Sequence, residues 1–317
     1  MIGAGTEAPG AEREGVLRLP RRLRPGDEVV VVAPAGPPDP ARVERGVRLL
    51  EELGLRVTVA RHVLDRNGFL AGSDADRAAD LQRAWCDPSV SAVLCARGGY
   101  GSTRLLDLLD WTAMAQAEPK TLLGSSDITA LHQALALRLG VAGCFGPMPA
   151  CDVLSDEGGP EPRTLAHLRE ALFGTPSPVY GEAVLAPGRA VAPIAGGNLS
   201  LLAALCGTPY APRFAGRIVL LEDIGEAPYR IDRMLTQLFQ AGAFDGVAGV
   251  ALGSWVGCGD PMPVLAERFG ALGVPVIAGL PVGHGSPQLS VWLGSLGAID
   301  TESCSLTSMF LGVSGAG

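Results

Sequence analysis

The stretch TLLGSSDITALHQALALRLG, Thr121 to Gly140, passes within a few residues from apolar strand through a glycine turn into a helix. Thr121 to Leu123 predicts a short buried strand and Gly124 permits a tight turn. Ile128, Leu131, Leu135 and Leu139 then recur at helical spacing. Ser126 is thereby placed at a helix N-terminus, where two roles suit a serine. One is an N-cap whose hydroxyl satisfies an orphan backbone donor. The other is a nucleophile on a strand-to-helix elbow, where backbone amides stabilise a developing oxyanion. Gly124-Ser125-Ser126-Asp127-Ile128 matches only the first half of a G-x-S-x-G elbow, since Ile128 stands where the second glycine would be. Partners for such a nucleophile have to come from elsewhere in the chain.

Working outward, the run from Glu28 to Ala33 reads as a buried parallel-type strand that ends in the turn-forming Pro34-Ala35-Gly36-Pro37-Pro38. Asp39 is a candidate cap for the next helix, with Pro40 at its first position. Val43, Val47, Leu50 and Leu53 give that helix an apolar stripe, and Gly54 stops it before a strand over Leu55 to Ala60. A helix over about Ser73 to Trp85, a strand over Val90 to Ala96 and a helix from about Ser102 to Leu109 follow. This βα alternation predicts an α/β domain over 23–150 with an open, flavodoxin-like parallel sheet, whose ligands bind beyond the C-terminal strand ends. Both Ser126 and the turn Arg97-Gly98-Gly99-Tyr100-Gly101 fall at such ends. A phosphate cradle is the alternative reading of that turn, but it has neither a P-loop lysine nor a full G-x-G-x-x-G fingerprint.

Residues 151–189, rich in proline, glycine and acids around one helical piece at about Arg163 to Phe173, read as an interdomain connection. A second domain over 190–305 opens with strand and turn material at Val191 to Gly197 and a helix begun by Asn198. A strand over Ile218 to Leu221 then ends at Glu222. Ile231, Met234, Leu235, Leu238 and Phe239 mark an amphipathic helix, and apolar strands follow at Val247 to Leu252 and Val274 to Leu280. The second of these runs into Pro281-Val282-Gly283-His284-Gly285. Residues 1–22 and 306–317 read as flexible ends.

Composition narrows the function classes. A 317-residue chain with 47% hydrophobic residues can bury a large core, and a net charge of -8 argues against a nucleic-acid groove. No apolar run reaches the length of a membrane span, so the expectation is a soluble cytoplasmic protein. Seven scattered cysteines without a C-x-x-C pair read as small buried hydrophobes of a reducing compartment. Four dispersed histidines without H-E-x-x-H give no support for a metal, and no cofactor is expected.

A serine nucleophile needs a base, and the base needs an acceptor that fixes its tautomer. Of the four histidines, His284 alone sits in a glycine-flanked turn after a strand; His132 and His167 fall inside predicted helices. Glu222 stands at a strand end. A lone glutamate there is equally a structural ion-pair partner, and a lone histidine equally a hydrogen-bonded filler. Spacing alone does not show that the three residues meet.

The ordered blocks VVVVAPAG, FLAGSDADRAADL, CARGGYGSTRLLD, LLGSSDIT, GGNLSLL, LLEDIGEAPYRIDRML and PVGHGS, spread over about Leu23 to Ser305, resemble the LD-carboxypeptidase family of serine peptidases. That family includes muropeptide-recycling enzymes and microcin C self-immunity carboxypeptidases. The resemblance implies a Ser126-Glu222-His284 triad divided between the N-terminal domain and a β-rich C-terminal α/β domain, with Glu226 as the fallback acid. It further implies a homodimer and a small peptide substrate: the terminal D-alanine amide of a muropeptide tetrapeptide or, alternatively, an acylated aminoacyl adenylate. Ser125 occupies a position where the family usually carries an aromatic. With acyl-transfer chemistry in view, the amides of Gly99 and Asp127 are candidates for the oxyanion hole. Arg97 is a candidate for the substrate carboxylate, with structural salt bridging as its alternative. Tyr100 and Asn198 are further candidates for substrate contact, Asn198 being equally a helix cap or a support for the Glu222 loop. A non-catalytic binding protein in which Ser126 is only a cap remains the reading from a different class.

Overall fold

In the computed structural model, which describes residues 15–309, β1 (Glu28–Val32) points Val29 and Val31 to one face of a sheet and Val30 and Val32 to the other. All four valines are buried, as a strand covered on both faces requires. Strands β1, β2 (Arg56–Val59), β3 (Val90–Cys95), β4 (Thr121–Gly124) and β5 (Gly143–Phe145) run parallel in the spatial order 2-1-3-4-5. This is the flavodoxin-like winding, and its switch point lies between β1 and β3. On one face pack α1 (Pro40–Glu52) and α6 (Pro162–Phe173), through Leu49, Leu50, Leu168 and Leu172. On the other pack α2 (Asp74–Cys86), α3 (Trp111–Ala115) and α4 (Thr129–Leu139), through Leu81, Trp85, Met114, Leu131 and Leu135. The Asp39 carboxylate caps α1 by accepting from the amides of Ala41 and Arg42, and Pro40 takes the first helical position as the sequence predicts. A short α5 (Asp152–Ser155) precedes α6.

The second sheet has eight strands in the order β6-β14-β13-β8-β9-β10-β11-β7. They are β6 (Val179–Tyr180), β7 (Ala183–Ala186), β8 (Arg189–Asn198), β9 (Ile218–Ile224), β10 (Gly249–Val256), β11 (Val276–Ala278), β13 (Leu296–Asp300) and β14 (Ser305–Met309). Its centre, β8 to β11, is parallel and its flanks are antiparallel. Helices α7 (Leu199–Ala204), α8 (Pro228–Gln240) and α9 (Met262–Gly270) cover one face through Leu202, Ile231, Leu235, Leu238 and Phe269. The protein is thus a mixed α/β fold built on two sheets.

The two sheets are stitched together by β12 (Val291–Leu293). It follows the His284 loop, yet it joins the first sheet by pairing antiparallel with β5 along Val291↔Phe145, Trp292↔Cys144 and Leu293↔Gly143. The chain therefore leaves the second sheet after β11, crosses the seam between the sheets, and anchors beside the strand next to the Ser126 elbow.

Both expected flexible ends need correction. Of the predicted lead-in, 15–22 includes a fixed stretch: Leu17 donates its amide to Gly294, Arg18 donates to Gly140, and the Ala142 amide donates back to Arg18. Of the predicted tail, 306–309 lies in β14, where Leu306 is buried and paired with Ile299. Alternation of apolar residues along LTSM is too short to announce a strand, so its pairing with β13 decides the matter. The remainders, 1–14 and 310–317, lie outside the described residues. The expected connection, 151–189, is shared out, since α6 packs on the first sheet whereas β6 and β7 form the two edges of the second.

Candidate active site

Ser126 stands just past the C-terminal end of β4, where the chain turns into a 3-10 turn (Ser126–Ile128) and then α4. Its φ is 60°, a left-handed value that costs a non-glycine residue about 1 to 3 kcal/mol. A Cβ built on Gly98 would lie 2.8 Å from Ser126 Cβ and 3.0 Å from its Oγ, so only glycine lets the Arg97–Gly101 turn press this closely on the elbow. The capping reading of Ser126 is not what the fold uses, because neither the 3-10 turn nor α4 has a side-chain cap. The hydroxyl is partly exposed and faces a cleft.

That cleft, of about 230 Å³, lies beyond the C-terminal ends of β3, β4 and β9. Ser126 and His284 both line it, with Arg97, Gly99 and Gln288 among their neighbours. Sheet pairing carries β9 beyond its expected end to Ile224, which leaves Glu222 within the strand and fully buried. Glu222 Oε2 lies 2.7 Å from His284 Nδ1. Burial pushes the Glu222 carboxyl up from its ordinary value, against the lowering effect of the histidine. Burial also pulls the His284 imidazole down, but the hydrogen bond and charge of Glu222, backed by Asp223, outweigh it and leave the imidazole raised. The other candidate acid, Glu226, lies 3.4 Å from Arg230 and serves that ion pair instead. Gly283 (φ 114°) is obligatory, since a Cβ there would collide with the Glu222 carboxylate.

Of the three roles open to Asn198, its contacts match the helix cap and the support for Glu222. It is buried: its Nδ2 donates to Glu222 Oε1 at 3.2 Å and to Asp223 Oδ1 at 2.9 Å, while its Oδ1 caps α7 through the Leu201 amide. With all of its polar atoms engaged inside the fold, it orients the Glu222 carboxylate. Tyr100 is half-exposed and meets the edge of Phe69 with ring centroids 5.4 Å apart, outside the residues that line the cleft. Arg97 is exposed in the cleft, with one long bond of 3.5 Å to the Pro37 carbonyl. Gly99, at φ 114°, also lines the cleft, and Asp127 is buried with its carboxylate accepting the Ser102 amide at 2.8 Å.

Two supporting residues were not legible in the sequence. Ser254 Oγ accepts the amides of His284 at 2.9 Å and Gly285 at 3.1 Å, fixing the histidine turn from β10. Gln288 Nε2 donates to Ser125 Oγ at 3.1 Å. Neither sits in a motif, and both act through contacts distant in sequence. The two helical histidines are packed: His132 bonds the Gly124 carbonyl at 2.9 Å, and His167 the Ser177 carbonyl at 3.0 Å. All seven cysteines are free. Away from the cleft, His62, Asp65 and Asp76 bring ligand atoms within 4.8 Å of one another. There the two ring nitrogens face different carboxylates, at 2.7 Å and 3.7 Å, so the imidazole bridges two acids rather than joining them around one ion. Among the described residues, no helix is long and apolar enough to cross a membrane.

A strained serine on a strand-to-helix turn, sharing a cleft with a carboxylate-bonded imidazole, is the arrangement of a serine hydrolase. The chain belongs to the LD-carboxypeptidase family, peptidase S66: the family's N-terminal domain matches residues 29–146 and its C-terminal domain residues 191–299. It is a serine carboxypeptidase. A Streptomyces coelicolor protein that bears a carboxypeptidase name is 50% identical over 304 residues, covering 92% of this chain and 96% of that one. The murein tetrapeptide carboxypeptidase of Pseudomonas aeruginosa is 34% identical over 279 residues, covering 83% and 90%. Among solved structures, an MccF-like protein from Bacillus anthracis superposes with a TM-score of 0.81 at 27% identity, covering 92% and 99%.

Proposed function

We propose that this chain removes the terminal D-alanine from muropeptide tetrapeptides by acyl transfer through Ser126, His284 and Glu222. The observation that carries this reading is the 2.7 Å contact of buried Glu222 with His284 Nδ1, in a cleft that the Ser126 hydroxyl shares. A proton held on Nδ1 toward the carboxylate leaves Nε2 as the basic nitrogen. His284 takes the Ser126 proton as Oγ attacks the amide carbonyl, then returns it to the departing D-alanine amine. It next deprotonates the water that hydrolyses the acyl-enzyme. The amides of Gly99, which lines the cleft, and of Asp127, the residue after Ser126, are the candidate donors to the oxyanion, where a single donor contributes about 3 kcal/mol. The Arg97 guanidinium suits the free carboxylate that an exopeptidase must recognise.

The likeness to the Bacillus anthracis MccF-like protein favours a second reading, hydrolysis of an acylated aminoacyl adenylate by the same three residues. Incubation with a muropeptide tetrapeptide and with an acylated aminoacyl adenylate, side by side, tests both. Release of D-alanine by the wild-type chain and its loss in Ser126→Ala is the expected result. Turnover of the nucleotide alone transfers the proposal to the second reading, and undiminished activity in Ser126→Ala removes the nucleophile. A chain inert toward both substrates and unlabelled by a fluorophosphonate is a binding protein.

A further inference from the structure

Ser126 belongs to the first sheet, whereas His284 rides on the loop that leaves the second. Their approach therefore depends on what locks that loop and its supports onto the elbow. Two hydrogen bonds from the second-sheet side reach residues flanking the nucleophile. The Asn198 amide donates to Thr129 Oγ1 at 2.9 Å, three residues after Ser126, and Gln288 Nε2 donates to Ser125 Oγ at 3.1 Å, one residue before it. Only the second comes from the histidine loop itself, four residues beyond His284.

Gln288 is well placed to transmit position. Its amide donates to Thr164 Oγ1 on α6 at 2.9 Å, and the neighbouring Leu289 amide closes the loop on the Pro281 carbonyl at 2.7 Å. Gln288 and Ser125 are 6% and 2% exposed, yet both line the cleft. A buried carboxamide and hydroxyl lose their water on folding, and that cost is recovered only while the pair keeps its geometry. Such a contact adds little net stability but defines register. We propose that the Gln288–Ser125 hydrogen bond is the positioning contact that holds the histidine loop in register with the nucleophile elbow and so sets the approach of His284 to Ser126. This inference rests on the serine and histidine roles proposed above.

The test measures the labelling rate of Ser126 by a small fluorophosphonate, which needs the hydroxyl and its base but not the peptide-recognition groups, alongside kcat and KM. In Gln288→Leu and in Ser125→Ala, labelling rate and kcat fall together by about tenfold while KM stays within about twofold, since misplacement of reacting groups acts on the chemical step. The double variant is no slower than either single one, because each alone breaks the same bond. Gln288→Glu, whose carboxylate accepts from the Ser125 hydroxyl, recovers most of the labelling rate. Wild-type labelling rates in both single variants, or effects that multiply in the double variant, overturn the proposal. A raised KM with unchanged labelling overturns it in favour of a substrate contact. If Gln288→Leu does not fold, the smaller Ser125→Ala change decides alone. A wild-type chain that the reagent does not label at Ser126 overturns the underlying functional reading instead.

Discussion

Replacing Glu222 by glutamine keeps the shape of the site and changes one hydrogen-bonding direction. Glu222 Oε1 faces the Asn198 Nδ2 donor at 3.2 Å and Oε2 faces His284 Nδ1 at 2.7 Å. In Glu222→Gln the carbonyl oxygen must take the place opposite Asn198, because an amide NH₂ there would confront another donor. The glutamine NH₂ is then aimed at His284 Nδ1 and demands a lone pair from it. The imidazole is driven into the tautomer protonated on Nε2, which has nothing with which to accept the serine proton. Wrong-tautomer substitution of the acid in a serine triad costs roughly ten-thousandfold in kcat, and that is the expected loss of D-alanine release here. Loss of the carboxylate also removes what raises the imidazole, so the acid limb of the residual pH–rate profile moves to lower pH. With His284 as the proposed base, wild-type activity is expected to fall as the pH drops below the raised imidazole value, since protonation removes that base. Adding Asn198→Ala to Glu222→Gln frees the amide to rotate and recovers part of the rate. A Glu222→Gln variant that folds, retains more than about a tenth of wild-type kcat and shows an unmoved acid limb would refute the reasoning.

Gly98→Ala drives a methyl group to within 2.8 Å of Ser126 Cβ, so either the elbow or the 97–101 turn must give way. Fluorophosphonate labelling of Ser126 should slow by about a hundredfold, with a drop of about 1 to 3 kcal/mol in a urea titration. His132 is fully buried and pushed down to about 4 from 6.5. Between those values the unfolded chain binds more protons than the folded one, so stability falls on acidification by about 3 kcal/mol over the interval. Urea midpoints of the wild type measured from pH 7 to pH 4 should show that decline, and His132→Gln should flatten it.

Sequence reading reached the elements whose signal is local. The four valines of β1, the Asp39-Pro40 start of α1 and the helical spacing of Ile231, Leu235 and Leu238 each carry their own periodicity or cap, and the structure places all three as read. The approach of Glu222 to His284, 62 residues apart, came from ordered blocks of family resemblance, since no spacing rule connects them. Three features stayed out of reach because they depend on partners remote in sequence. Val291 to Leu293 is too short and too apolar to reveal that it pairs with β5 rather than with its own sheet. The left-handed Ser126 lies against a glycine turn remote in sequence, and its own residue type gives no sign of that conformation. For Asn198 the sequence leaves substrate contact, helix cap and support for the Glu222 loop side by side, and only its buried neighbours show its amide turned toward two carboxylates.

The excursion of β12 into the first sheet has a consequence for any attempt to dissect the molecule. A fragment ending near residue 150 would keep Ser126 but leave β5 with a bare edge, its carbonyls and amides open to pairing with another chain. The matching fragment would carry a histidine loop with no far anchorage. One three-residue ribbon thus ties the His284 loop to the sheet that carries Ser126, and either half made alone is expected to lose that tie.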